Sequence, residues 1–184
     1  MGERNVSHCF SLNGNPANPS INGINGILQE YRQKLPHIAL HGPTYFKGIL
    51  EAFISYTAAM AQTNIYQVLL ILTDGVIHDM QQTKELVVSA SELPCSIIIV
   101  GVGDADFAMM EQLDADERLL RAASGRVAKR DIVQFVEFKE CVRKGNLAEE
   151  VLREIPDQVV SQMEQAGFKP NRVQANLAQF NDLE

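Results

Sequence analysis

Three stretches of the chain give up polar alternation and run apolar: residues 67–72 (QVLLIL), 95–102 (CSIIIVGV) and 132–138 (IVQFVEF). Runs of this kind suit strands, and the unbroken first two suit strands covered on both faces. The first stops at Thr73-Asp74-Gly75 and the second at Gly103-Asp104, so both end in a sharp turn carrying a carboxylate. Between the runs the apolar period lengthens to three and four. Ile24, Ile27, Leu28, Tyr31 and Leu35 predict a helix ended by Pro36, and Phe46, Ile49, Leu50, Phe53, Ile54, Thr57, Ala58 and Ala61 predict a second. Met80, Thr83, Leu86, Val87 and Ala90 predict a third, which Asp79 would cap and Pro94 would close. A short helix over residues 106–113 turns Phe107, Met110 and Leu113 inward, and residues 114–117 read as an acidic surface turn. A last stripe runs from Leu147 to Met163 behind a cap at Asn146, and Pro156 should kink or divide it. Residues 5–12 read as a short strand and 13–20 as a loop of turn residues. Strands that alternate with helices predict an open, doubly wound α/β domain with a mostly parallel sheet and helices on both faces. The domain is expected over residues 1–168, with a loosely held tail at 169–184.

Composition narrows the partners more than the fold. With 184 residues, 46% hydrophobic and 21% charged, the chain can build one ordinary core. A net charge of −7 and a pI near 5.1 argue against nucleic acid, which needs gathered lysines and arginines, and favour cations or basic surfaces. Cys9, Cys95 and Cys141 form no CxxC pair, which suits a reducing compartment, with Cys95 in the core. No apolar run reaches membrane-spanning length and no signal segment opens the chain, so a cytoplasmic protein without direct membrane insertion is expected.

Four chemistries compete for the strand ends. Gly101-Val102-Gly103 follows a strand as a dinucleotide fingerprint would, but Asp106 stands where the third glycine belongs and would repel a pyrophosphate. Nucleophilic hydrolysis lacks a GxSxG elbow, and His78 is the histidine that lies close in sequence to Asp74. Phosphoryl transfer from Asp74 lacks the second carboxylate of a DxD pair, because position 76 is valine. A hard divalent cation could take Asp74 and the Thr44 hydroxyl as oxygen ligands. Each has a plainer reading as well: Asp74 as a turn former, Thr44 as a helix N-cap.

The runs SLNGNPANPSINGINGILQEYRQKLP, HGPTYF, LLILTDGVIHD, LPCSIIIVGVGDADFAMMEQLDAD and RDIVQFVEFKE resemble the A domain of the copine family, of the von Willebrand factor A class, over roughly residues 6–168. The resemblance implies a Rossmann-like domain with a metal-ion-dependent adhesion site at the carboxyl ends of its strands. Thr44 then matches the second-loop threonine of that site and Asp74 its third-loop aspartate. No Asp-x-Ser/Thr-x-Ser pattern, the principal metal loop, occurs in the 184 residues. The resemblance therefore implies that the first central strand and its helix are missing, which would leave the edge of the strand at 67–72 unpaired. It implies a non-enzymatic, metal-dependent protein-interaction module that uses Mg²⁺ or Mn²⁺ to hold acidic side chains of protein partners. Metal binding is expected to be weak or absent here, and self-association is an expected consequence of the open edge. Membrane association is expected only through the calcium-dependent phospholipid-binding modules of a full-length copine. The rival readings are a metal-assisted hydrolase or phosphoryl-transfer enzyme using Asp74, and a scaffold that needs no metal.

Overall fold

The computed structural model describes residues 7–39, 41–63, 65–114 and 118–168. At its centre lies the most apolar run. Residues Cys95–Gly101 form strand β2, buried at every position, between β1 (Gln67–Thr73) and β3 (Val133–Glu137). Both pairings are parallel, with Leu70 beside Ile98 and Ile99 beside Phe135. Because side chains alternate along a strand, Leu69, Ile71, Ile97, Ile99, Val133 and Phe135 share one face, and Val68, Leu70, Leu72, Ile98, Val100 and Val136 share the other.

Helices cover both faces, as an α/β fold requires. On the first lie α2 (Lys47–Met60), α3 (Met80–Ala90) and the single-turn α4 (Ala108–Glu111), whose Leu50, Val87 and Met110 join Phe46, Ile77 and Phe107 in the main core. On the second lie α5 (Phe138–Lys144), α6 (Leu147–Leu152) and α7 (Ile155–Gln165), which set Cys141, Leu147, Val151 and Ile155 against Ile98, Val100 and Val136. The helix α1 (Gly23–Lys34) comes before these and runs into a 3-10 turn at Leu35–His37, where Pro36 ends regular hydrogen bonding.

Several expectations change. Residues 7–12 are irregular rather than a strand, and residues 5 and 6 lie outside the described residues. The apolar stripe of α1 is exposed, and no residue of that helix is buried; Tyr31 and Leu35 instead line a shallow apolar pocket with Phe10, Leu12 and Ile38. The strand β1 is covered on one face only, because α6 and α7 reach over β2 and β3 and leave Val68, Leu70 and Leu72 exposed. Its outer edge meets no strand among the described residues. A helix that the periodicity did not reveal, α5, follows β3 without a loop and ends at Gly145 in the left-handed conformation, φ 73°. The last stripe is indeed divided, with Pro156 in the first turn of α7, where its missing N–H costs nothing. The tail at 169–184 lies outside the described residues.

At the amino end of the sheet a buried arginine ties the strands together. Arg130 donates to the carbonyls of Leu93 and Cys95 and to the Tyr66 hydroxyl, and Tyr66 is bonded in turn to Ser96, which donates to Gln158 of α7. The opposite end of the sheet is left to the loops. Among the described residues no helix is long and apolar enough to cross a membrane.

Candidate functional site

The carboxyl ends of β1 and β2 form a rim. Thr73 closes β1 with its carbonyl accepting from the Val102 amide at 2.8 Å, and Asp74 follows, exposed. The loop then dips: Ile77 is buried in the core and anchors it, and the His78 amide donates to the Thr44 carbonyl at 2.9 Å. That bond holds the loop bearing Thr44 against the loop that Asp74 begins. Thr44 itself is exposed, and Tyr45 beside it packs edge-on between the rings of His8 and His78, at centroid distances of 4.8 and 6.5 Å.

Asp79 makes the strongest of these links. It occupies the N-cap position of α3, but its carboxylate accepts from the amides of Phe46 and Lys47, at 3.1 and 2.8 Å, at the start of α2. The cap expected of Asp79 on its own helix is not made: its carboxylate bonds no backbone amide of α3 and serves the start of α2 instead. A buried carboxylate on two free amides at a helix N-terminus combines charge-assisted hydrogen bonds with the helix dipole, worth about 2 kcal/mol. Phe46 takes the N-cap position of α2, so Thr44 is not that helix's cap.

The other rim carboxylates are engaged as well. Asp104 is ion-paired with Lys139 of α5, and Asp106 accepts the Ala108 amide at 2.9 Å. Asp74 has no hydrogen bond or ion pair among the described residues. The glycines of the fingerprint-like run have packing and turn roles: a Cβ on Gly101 would come within 2.9 Å of the Phe107 ring, and Gly103 sits at φ 98°. His78 turns its ring to Tyr45, an aromatic contact and not a catalytic pairing with a carboxylate.

Periodicity also missed a partly buried acidic group, Asp114, Asp131 and Glu154, whose carboxylate oxygens lie within 4.8 Å of one another. The acidic surface turn expected at 114–117 is wrong at its first residue: Asp114 turns inward and accepts the Phe135 amide at 2.9 Å. Residues 115–117 lie outside the described residues. The Ile97 amide donates to the Ile132 carbonyl, so even-numbered residues of β3 face β2 and the Phe135 amide points to the sheet's outer edge. Asp131 accepts the Val133 amide at 3.1 Å on the same side. These two carboxylates therefore take the outward amides of Val133 and Phe135, which is structural work.

An open parallel sheet between two helical layers, with oxygen-bearing loops at its carboxyl rim, defines an α/β domain of the von Willebrand factor A-like, Rossmann-like type. The family model described as Copine matches residues 1–171, and the chain belongs to the copine family. It is 47% identical over 170 residues to Protein BONZAI 1 of Arabidopsis thaliana, an alignment that covers 90% of this chain and 29% of that protein. The chain thus spans less than a third of the length of this relative.

Proposed function

We propose that this chain is the A-type interaction module of a copine, non-enzymatic, cytoplasmic and dependent on a divalent cation for its grip on protein partners. The observation that carries this reading is the unengaged Asp74 carboxylate, at a rim where Asp79, Asp104 and Asp106 are all committed to internal contacts. Thr44, whose carbonyl accepts from the His78 amide, would supply a second hard oxygen from the adjoining loop. A carboxylate and a hydroxyl open to solvent fit Mg²⁺ or Mn²⁺, which keep several waters and leave positions for a partner's carboxylate. A cation there would offset the repulsion between an acidic partner and a chain of net charge −7. Asp74 and Thr44 would hold the ion, and the rigid link through Asp79 would keep the two loops in register. Membrane association, in a calcium-dependent phospholipid-binding protein, would come from modules other than this one.

Two protein ligands make a weak site. Calorimetric titration with Mg²⁺ and with Mn²⁺ should show binding only in the millimolar range, and Asp74→Ala should remove it while leaving the melting temperature unchanged. Capture of an acidic peptide that is lost on chelation and in Asp74→Ala supports the interaction reading. Capture indifferent to both changes would mean a scaffold that needs no metal, and turnover of a phosphate ester abolished by Asp74→Asn would mean an enzyme.

A further inference from the structure

Between α4 and β3 the chain makes a small hairpin with Ser124 at its tip. The Ala122 amide donates to the Arg126 carbonyl at 2.9 Å and the Ala128 amide to the Leu120 carbonyl at 2.8 Å, which joins the legs, and the Gly125 amide closes the turn on the Ala122 carbonyl at 3.0 Å. Leu120, Ala122 and Ala128 are buried and root the hairpin in the core, while residues 123–127 are exposed. Two exposed arginines flank the serine. Arg121 donates to the Gly125 carbonyl at 3.3 Å, and Arg126 pairs with Glu85 of α3 at 3.0 Å. Glu85 also takes both donors of Ser124, the amide at 2.7 Å and the hydroxyl at 2.8 Å. One carboxylate thus holds the tip against α3, and the hydroxyl part of that hold requires Ser124 to remain a neutral donor.

The run Leu119-Leu120-Arg121-Ala122-Ala123-Ser124 sets an arginine three places before the serine and an apolar residue five places before it. Basophilic protein kinases select serines by such a pattern, reading charge and apolar positions along an extended substrate segment. Of the serines and threonines in the 184 residues only Ser7 and Ser124 follow an arginine at that distance, and Ser7 has Gly2 where Ser124 has Leu119. We propose that Ser124 is a phosphorylation site for a basophilic serine/threonine kinase, and that the phosphate releases the hairpin tip from Glu85. In the transfer the Ser124 hydroxyl oxygen bonds to the γ-phosphorus of ATP, the bond from that phosphorus to the β–γ bridging oxygen breaks, ADP leaves, and the hydroxyl proton passes to the catalytic aspartate of the kinase. The product carries a charge of about −1.5 to −2 and no longer has a hydroxyl to donate to a carboxylate. Repulsion then parts it from Glu85. Arg121 and Arg126, already on either side of residue 124, supply charge-assisted bonds to the phosphate oxygens, so Arg126 exchanges one anion for another. Because the tip is exposed and the legs are joined by few bonds, the hairpin can open locally to present the extended segment that a kinase reads.

The full chain incubated with Mg-ATP and the catalytic domain of a calmodulin-dependent kinase, which selects arginine three places before its serine, tests the site by peptide mapping in a mass spectrometer. Phosphate at Ser124 is expected, lost in Ser124→Ala and kept in Ser7→Ala. Arg121→Ala should lower kcat/KM for the chain as substrate by about tenfold or more, with far-ultraviolet circular dichroism unchanged. Glu85→Gln, which loosens the tip, should raise the rate of labelling. Phosphorylation should lower the melting temperature of the wild type by about 2 to 4 °C and that of Glu85→Gln by less, since the variant has no carboxylate for the phosphate to repel. A synthetic peptide of residues 118–128, labelled in parallel, shows that the kinase is active. A chain left unlabelled beside a labelled peptide overturns the proposal. So does label confined to Ser7, a rate indifferent to Arg121→Ala, or an equal melting shift in the wild type and Glu85→Gln.

Discussion

Glu85 links α3 to the segment that follows α4, and its carboxylate accepts from the Ser124 amide at 2.7 Å and pairs with Arg126 at 3.0 Å. The bond from the Ser124 amide, then that from Arg126, hold its pKa below the ordinary carboxylate value of 4.5. The folded state therefore favours the ionised group. This contribution is complete above 4.5, the value the group regains on unfolding, and is lost as the pH falls through the depressed folded value. Urea midpoints measured from neutral pH downward should fall more steeply below 4.5 in the wild type than in Glu85→Gln, which lacks the titration. The thiols show the reverse effect of environment. Burial pushes Cys95 up to about 11, so it stays a core thiol, whereas Cys9 is exposed.

At the scale of elements, exposure separates pattern from packing. The stripe of α1 has the spacing of a core-facing helix, yet Ile24 is 72% exposed. Were that stripe in the core, Ile24→Ser would cost about 3 kcal/mol or more, as large-to-small core changes do. On the exposed helix the change should stay within about 0.5 kcal/mol and move the melting temperature by no more than about 2 °C, which a thermal melt decides. The elements that could be read from periodicity are those whose cover is local: β2 is buried throughout, and α3 and α4 turn inward the residues their spacing marks, Val87 and Met110 among them. The second face of β1 could not be read that way. Its cover depends on how far α6 and α7 extend from the other end of the chain, and an apolar run looks the same with or without that cover. The helix α5 was hidden because Phe138 continues the alternation of β3 before the backbone turns. At the site, Thr44 and Asp74 could be picked out as turn residues beside strong elements. The service of Asp79 to α2 could not, since its targets Phe46 and Lys47 lie more than thirty positions earlier.

For the whole molecule, the net charge of −7 opposes the grip on an acidic partner that a cation at Asp74 would provide. That repulsion is spread over the surface and is screened, with a Debye length of about 30 Å at 0.01 M salt and about 8 Å at 0.15 M. In chelator, what capture of an acidic peptide remains should therefore rise as sodium chloride is raised across that range. At constant ionic strength Mg²⁺ should strengthen capture in the wild type and have no effect in Asp74→Ala. A gain from magnesium that persists in Asp74→Ala would place the ion elsewhere.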